Sequence, residues 1–169
     1  MSYFGDPQYL QFWQKLRENK VRVTNGWSEA YFKQFTAGSE GVGKYPLVVS
    51  YSTSPPADVL YSKDKRTEPA TVNISPKGGT FKQVEFVGVV RGSAHPELAR
   101  RFVDFLLSAK VQESFPLQNF VYPARDKVVL PDLFKRFAQA PQDPATLSPE
   151  RIDSGRERWI TEWTQTVLH

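Results

Sequence analysis

Two hydrophobic patterns alternate along this chain, and proline or glycine marks most switches between them. Stretches with apolar residues at helical spacing are followed by short, nearly continuous apolar runs. That alternation restricts the fold to layers in which helices cover a sheet, and thirteen prolines with ten glycines are too much punctuation for a helical bundle. In "DPQYLQFWQKLREN", Leu10, Trp13 and Leu16 repeat at helical spacing behind Asp6-Pro7. Asp at such a position caps free N–H groups, and Pro at the first helical position loses no hydrogen bond. "NGWSEAYFKQFTAG" predicts a second helix carrying Trp27, Tyr31 and Phe35, with Gly38 as its stop. "HPELARRFVDFLLSAKVQESF" predicts the clearest one, with Leu98, Phe102, Phe105 and Leu106 on one face. A short helix is expected over 131–137, and a last one behind Ser148-Pro149 with Ile152, Trp159, Trp163 and Val167.

The intervening runs read as strands. "VRV" (21–23) is a short extended candidate, and Leu47 to Tyr51 is compact enough for a buried strand that breaks into small hydroxyl residues and Pro55-Pro56. "ATVNI" (70–74) and "FKQVEFVGVV" (81–90) follow, joined across Gly78-Gly79. Residues 116–126 form an irregular proline-bounded loop and 139–147 a linker-like crossing. The resulting fold class is α/β, a mixed sheet flanked by helices.

Several functional classes drop out. With no cysteine, structural disulfides, thiolate nucleophiles and cysteine metal sites are excluded. The net charge of +4 suggests nucleic acid, but "KDKRTE" (63–68) interleaves both signs and no run of five like charges occurs. The reading is therefore a mixed solvated surface with no nucleic-acid partner. His95 stands before a proline at a helix start, and His169 is the last residue; neither has a metal-ligand partner at short spacing. No G-x-S-x-G occurs, and "KGG" (77–79) lacks the spacing of a phosphate loop. No enzyme is expected. "MSYFGDPQYLQFWQ" has neither a basic start nor a continuous apolar stretch, so it does not read as a signal peptide.

The aromatics carry more information. Trp13, Trp159 and Trp163 sit inside helical stripes and read as core. Trp27, Tyr51, Phe120 and Tyr122 lie instead at element ends or in loops, beside Gly, Ser or Pro, where α/β folds present ligand-contacting groups. Their faces attract flat or cationic ligands. On composition alone, core or hinge packing is the stronger explanation of these four, by about two to one, and residue chemistry leaves Trp27 undecided.

"VTNGWSEAYFKQF", "LVVSYSTSPP", "GGTFKQVEFVGVVRGSAHPELARRFVDFLLS", "NFVYPA" and "WITEWTQTV" carry a resemblance in order and spacing. The chain resembles the thiamine-binding proteins of ABC import systems, in the type II periplasmic binding-protein superfamily, along essentially its whole length. The resemblance implies two α/β lobes joined by a hinge, a cleft holding thiamine or a thiamine phosphate non-covalently, and no cofactor. It implies ligand-facing roles for Trp27, Tyr51, Phe120, Tyr122 and Ser54. Phe120 stands where the family often has tryptophan, which keeps a stacking face and loses the indole N–H. Ala57 stands where a tyrosine often follows and offers no hydroxyl to a phosphate group. Ser52 after Tyr51 departs from the tyrosine pair of related iron binders.

The same resemblance implies membrane subunits of an importer as partners and a periplasmic or extracytoplasmic location for the full-length protein. Measured against the family, the chain looks like the carboxyl-terminal portion, with Met1 an artificial or truncated start. Residues 1–56 are expected in the second lobe, 57–138 in a segment crossing toward the first, and 139–169 in a terminal linker and helix. The alternative expectation is an assembly module, in which an isolated lobe dimerises or exchanges segments.

Overall fold

The computed structural model describes Met1–His169. Seven helical elements follow one another: α1 (Gln8–Glu18), α2 (Trp27–Glu29, continuing as a π turn over Ala30–Gln34), α3 (Ser54–Leu60), α4 (Pro96–Leu106), α5 (Ala109–Gln118), α6 (Asp132–Phe137) and α7 (Pro149–Leu168). α1 packs on α7, and α3 on α6.

α7 starts as expected, with the Ser148 hydroxyl accepting from the Arg151 N–H at 3.3 Å and Pro149 in the first turn. α1 also lies where predicted, but Asp6 does not cap it. Its carboxylate is drawn across to α7, where it meets the Arg158 guanidinium and accepts from Trp159 Nε1 at 3.3 Å. A charged donor there outcompetes a neutral backbone N–H. Trp13 and Trp163 meet edge to face, 5.5 Å apart, along the α1–α7 seam; with Trp159 they were expected in the core, but all three are only half-buried. Buried Tyr9 closes the seam by donating to Glu162 Oε2 at 2.8 Å.

Three helical expectations need correction. The second helix stops at Gln34, and Gly38 is no cap: a Cβ there would stand 2.7 Å from Tyr31 Cδ1, so the glycine lets the returning chain lie on the Tyr31 ring. The long helix breaks at Leu107-Ser108 into α4 and α5, because the Gln112 side chain takes up the Leu106 carbonyl at 2.8 Å. Residues 54–60, read as a break in the strand, form α3; Pro55 and Pro56 sit in its first turn, where their missing N–H groups cost nothing.

The strand expectations at 21–23, 47–51, 70–74 and 81–90 are corrected as well. No ladder links these runs, and the only strand-type pairings are two isolated parallel bridges, Phe35 with Tyr45 and Phe81 with Ala145. Val49, Val72 and Phe86 are 86%, 77% and 91% exposed, so 47–51 is not buried. The apolar pattern was real, but a strand exists only beside a hydrogen-bonding neighbour, and these runs have none beyond the single bridge at Phe81. The surface totals 12866 Å², against about 8,500 Å² expected for a folded monomer of 19.3 kDa. The core is accordingly divided into small clusters: the α1–α7 seam, the aromatics of α2, and a group around Phe134.

Candidate functional site

Trp27 opens α2 directly after Gly26, whose extended backbone turns the chain into the helix. Thr24 Oγ1 donates to the Gly26 carbonyl at 2.9 Å and pins that turn. The indole ring stacks on Tyr31 (4.9 Å between centroids, 26° between planes) and meets Phe32 edge on at 5.3 Å. Tyr31 is itself buried, so the stack gives Trp27 a rigid backing.

The segment 47–51 runs past this ring. Trp27 Nε1 donates to Ser50 Oγ at 2.9 Å, and Ser50 Oγ shares a hydrogen bond with Ser54 Oγ at 2.7 Å. Tyr51 stands 5.9 Å from the indole centroid, tilted by 53°, and is 59% exposed. Between the two segments lies a hollow of about 390 Å³, lined on one side by Thr24, Asn25, Trp27 and Ala30 and on the other by Val49 and Tyr51. A hollow of that size suits a small heterocyclic ligand. A larger one, about 480 Å³, lies between α1 and α7, but its walls are polar side chains such as Gln14 and Arg17 with no aromatic face.

Behind the stack is a carboxylate. Tyr31 donates its hydroxyl to Asp58 Oδ1 at 2.6 Å, and Thr71 donates to Oδ2. The Tyr31 phenol is pushed well above its ordinary value, first by burial and then by the Asp58 hydrogen bond and charge.

Phe120 and Tyr122 belong to a different cluster. Phe120 has a left-handed backbone (φ 54°), and its ring lies 5.6 Å from Tyr61 and 6.4 Å from Phe134. Tyr122 meets Phe134 edge on at 5.6 Å, and burial pushes its phenol up. Gln112, 2% exposed, holds the loop by accepting from the Ala124 N–H at 2.8 Å. α3 spans the gap between the sets: it starts at Ser54, and Tyr61 follows its end. Seven residues of helix cover about 10 Å. The structure thus brings Trp27, Tyr51 and Ser54 together and leaves Phe120 and Tyr122 at the far end of α3. Sequence reasoning missed Asp58, Tyr31 and Val49 as parts of the site; only the "SYSTS" run, which contains Ser50, gave any hint.

This arrangement offers ring faces, hydroxyls and a carboxylate at fixed separation, a set suited to holding a planar molecule without covalent chemistry. Residues 3–140 match the model of the family described as bacterial extracellular solute-binding protein, and the chain belongs to that family. Its fold is that of the type II periplasmic binding proteins, as expected, with a TM-score of 0.72 and 32% identity over 97% of the chain to a solved structure called a periplasmic thiamin binding protein. In sequence it is similar to proteins named thiamine-binding periplasmic protein. It is 37% identical to the one from Salmonella typhimurium over 93% of its length, and 36% identical to the one from Escherichia coli over 97%. The chain covers 44% and 46% of those two relatives and 48% of the solved structure, so it spans about half the length of the proteins it matches.

Proposed function

We propose that the chain serves as, or within, the solute-binding component of an ABC importer outside the cytoplasm, holding thiamine or a thiamine phosphate by stacking and hydrogen bonds. The observation that carries this reading is the hollow beside Trp27, backed by Tyr31 and faced by Tyr51. Aromatic faces attract a thiazolium cation, each contact contributing about 0.5–2 kcal/mol. Ser54 hydrogen-bonds Ser50 at the same rim, while Phe120 and Tyr122 approach the ligand from the far end of α3. Closure of a second lobe over this wall would exclude water and present one closed shape to the importer's membrane subunits. Residues 1–56 then belong to the second lobe, 57–138 to the crossing segment and 139–169 to the terminal linker and helix. The names of the relatives and their shared fold support this reading.

With one wall of such a cleft, this chain binds more weakly than relatives twice its length. Titration calorimetry with thiamine is expected to give a micromolar Kd; Trp27→Ala should weaken it about tenfold or more, the loss of one stacking contact. No heat at millimolar thiamine, or unchanged affinity in Trp27→Ala, would remove the reading. Nanomolar binding would overturn its single-wall form.

A further inference from the structure

Asp58 is a half-buried carboxylate with no direct cation partner. Both of its oxygens accept from hydroxyls, Tyr31 on one side and Thr71 on the other, and no lysine or arginine forms an ion pair with it. Arg66 feels its charge, but that guanidinium is engaged by Asp64 through two hydrogen bonds of 3.0 Å. Glu40, which also acts on Arg66, is paired with Lys63 at 2.8 Å. The acidic charge at Asp58 is therefore left to act on whatever lies near it.

What lies near it is the stack. The Tyr31 ring separates the carboxylate from Trp27: its hydroxyl touches Asp58 and its face meets the indole. The Tyr31 and Thr71 hydroxyls occupy one acceptor site on each Asp58 oxygen. A cation resting on Trp27 feels the charge through a buried phenol rather than through water. We propose that Asp58 is the charge-selecting residue of this site, favouring a cationic ring over a neutral ring of the same shape. The inference rests on the proposed function for its ligand and extends it to the source of selectivity. At about 10 Å, in a medium between protein and water, one charge changes affinity about threefold to tenfold.

Asp58→Asn keeps the shape and an acceptor oxygen while removing the charge. Calorimetry would compare thiamine with its analogue bearing an uncharged thiophene in place of the thiazolium. Thiamine affinity should fall about threefold to tenfold, with the neutral analogue unchanged. Asp58→Glu, which restores the charge, should recover the preference, whereas a merely structural role would weaken both ligands alike. An equal loss for both ligands, or no loss for either, overturns the proposal.

A second measurement needs no thiamine. Collisional quenching of the Trp27 emission, taken as the difference from Trp27→Phe, is read with the pyridinium cation 1-methylnicotinamide and with neutral acrylamide. Asp58→Asn should lower the cationic quenching constant alone. If that holds while thiamine fails to bind, the charge at the site stands and the ligand assignment falls. Equal quenching changes for both probes defeat the charge-selecting role.

Discussion

Trp27 Nε1 donates to Ser50 Oγ at 2.9 Å, which fixes the edge of the indole against the segment that carries Tyr51. The bond joins α2 to a run with no strand partner, so it does for the site what a ladder would do in a sheet. Ring stacking on Tyr31 and this edge contact together leave the indole little freedom to rotate.

Ser50→Ala removes the acceptor while leaving the stack. Thiamine affinity should fall about fivefold, the worth of one hydrogen bond that orients a ring, with melting lowered by no more than about 2–4 °C. Ser50→Thr, which keeps a hydroxyl, should restore most of the loss. Calorimetry on the three proteins checks this.

Gln112→Leu should be far more damaging than its volume suggests. It leaves the Leu106 carbonyl and the Ala124 N–H without partners, and each unsatisfied group costs about 1–3 kcal/mol. Urea unfolding should register the loss. Hydrogen exchange should quicken over 120–124, the loop that carries Phe120 and Tyr122.

Gly155→Ala tests the α1–α7 seam. The Trp159 ring lies over Gly155 so closely that a Cβ would stand 2.5 Å from Trp159 Cη2. Alanine favours a helix intrinsically, yet here overpacking should win and cost about 1–3 kcal/mol. A lower melting temperature is expected; a rise would mean that the ring swings aside freely.

The Tyr9 phenol is pushed up to about 12, first by burial and then by its hydrogen bond to Glu162. The unfolded chain loses that proton near the ordinary value of about 10, while the folded one still holds it. Its contribution to stability is therefore complete below about pH 10 and declines between about 10 and 12. Tyr9→Phe should flatten that part of the stability profile. Denaturant melts across this range, with ultraviolet titration of the phenols, check the sign.

Helices were the legible part. α1, α6 and α7 follow their expected spans closely, and α7 its opening residues as well, because a helix satisfies its own backbone within a few residues of sequence. α3 was hidden by Pro55 and Pro56, which read as breakers until their place in a first turn is known. Gly38 looked like a cap and proved to be a packing residue, a distinction that needs the Tyr31 ring beside it.

The site was legible only as a set of residue types. Sequence marked Trp27, Tyr51, Phe120 and Tyr122 as aromatics at element ends or in loops, and family resemblance gave them a ligand and added Ser54. It could not say that α3 keeps Phe120 and Tyr122 apart from Trp27, or that Asp58 stands behind the Trp27–Tyr31 stack. Nor could it say that the apolar runs at 70–74 and 81–90 form no ladder, with a single bridge at Phe81. Local pattern determines what a segment can satisfy by itself: helical hydrogen bonds, a turn, an apolar face. Strand partners, ring contacts and the charge near a cavity depend on which distant segments meet, and only the folded chain decides that.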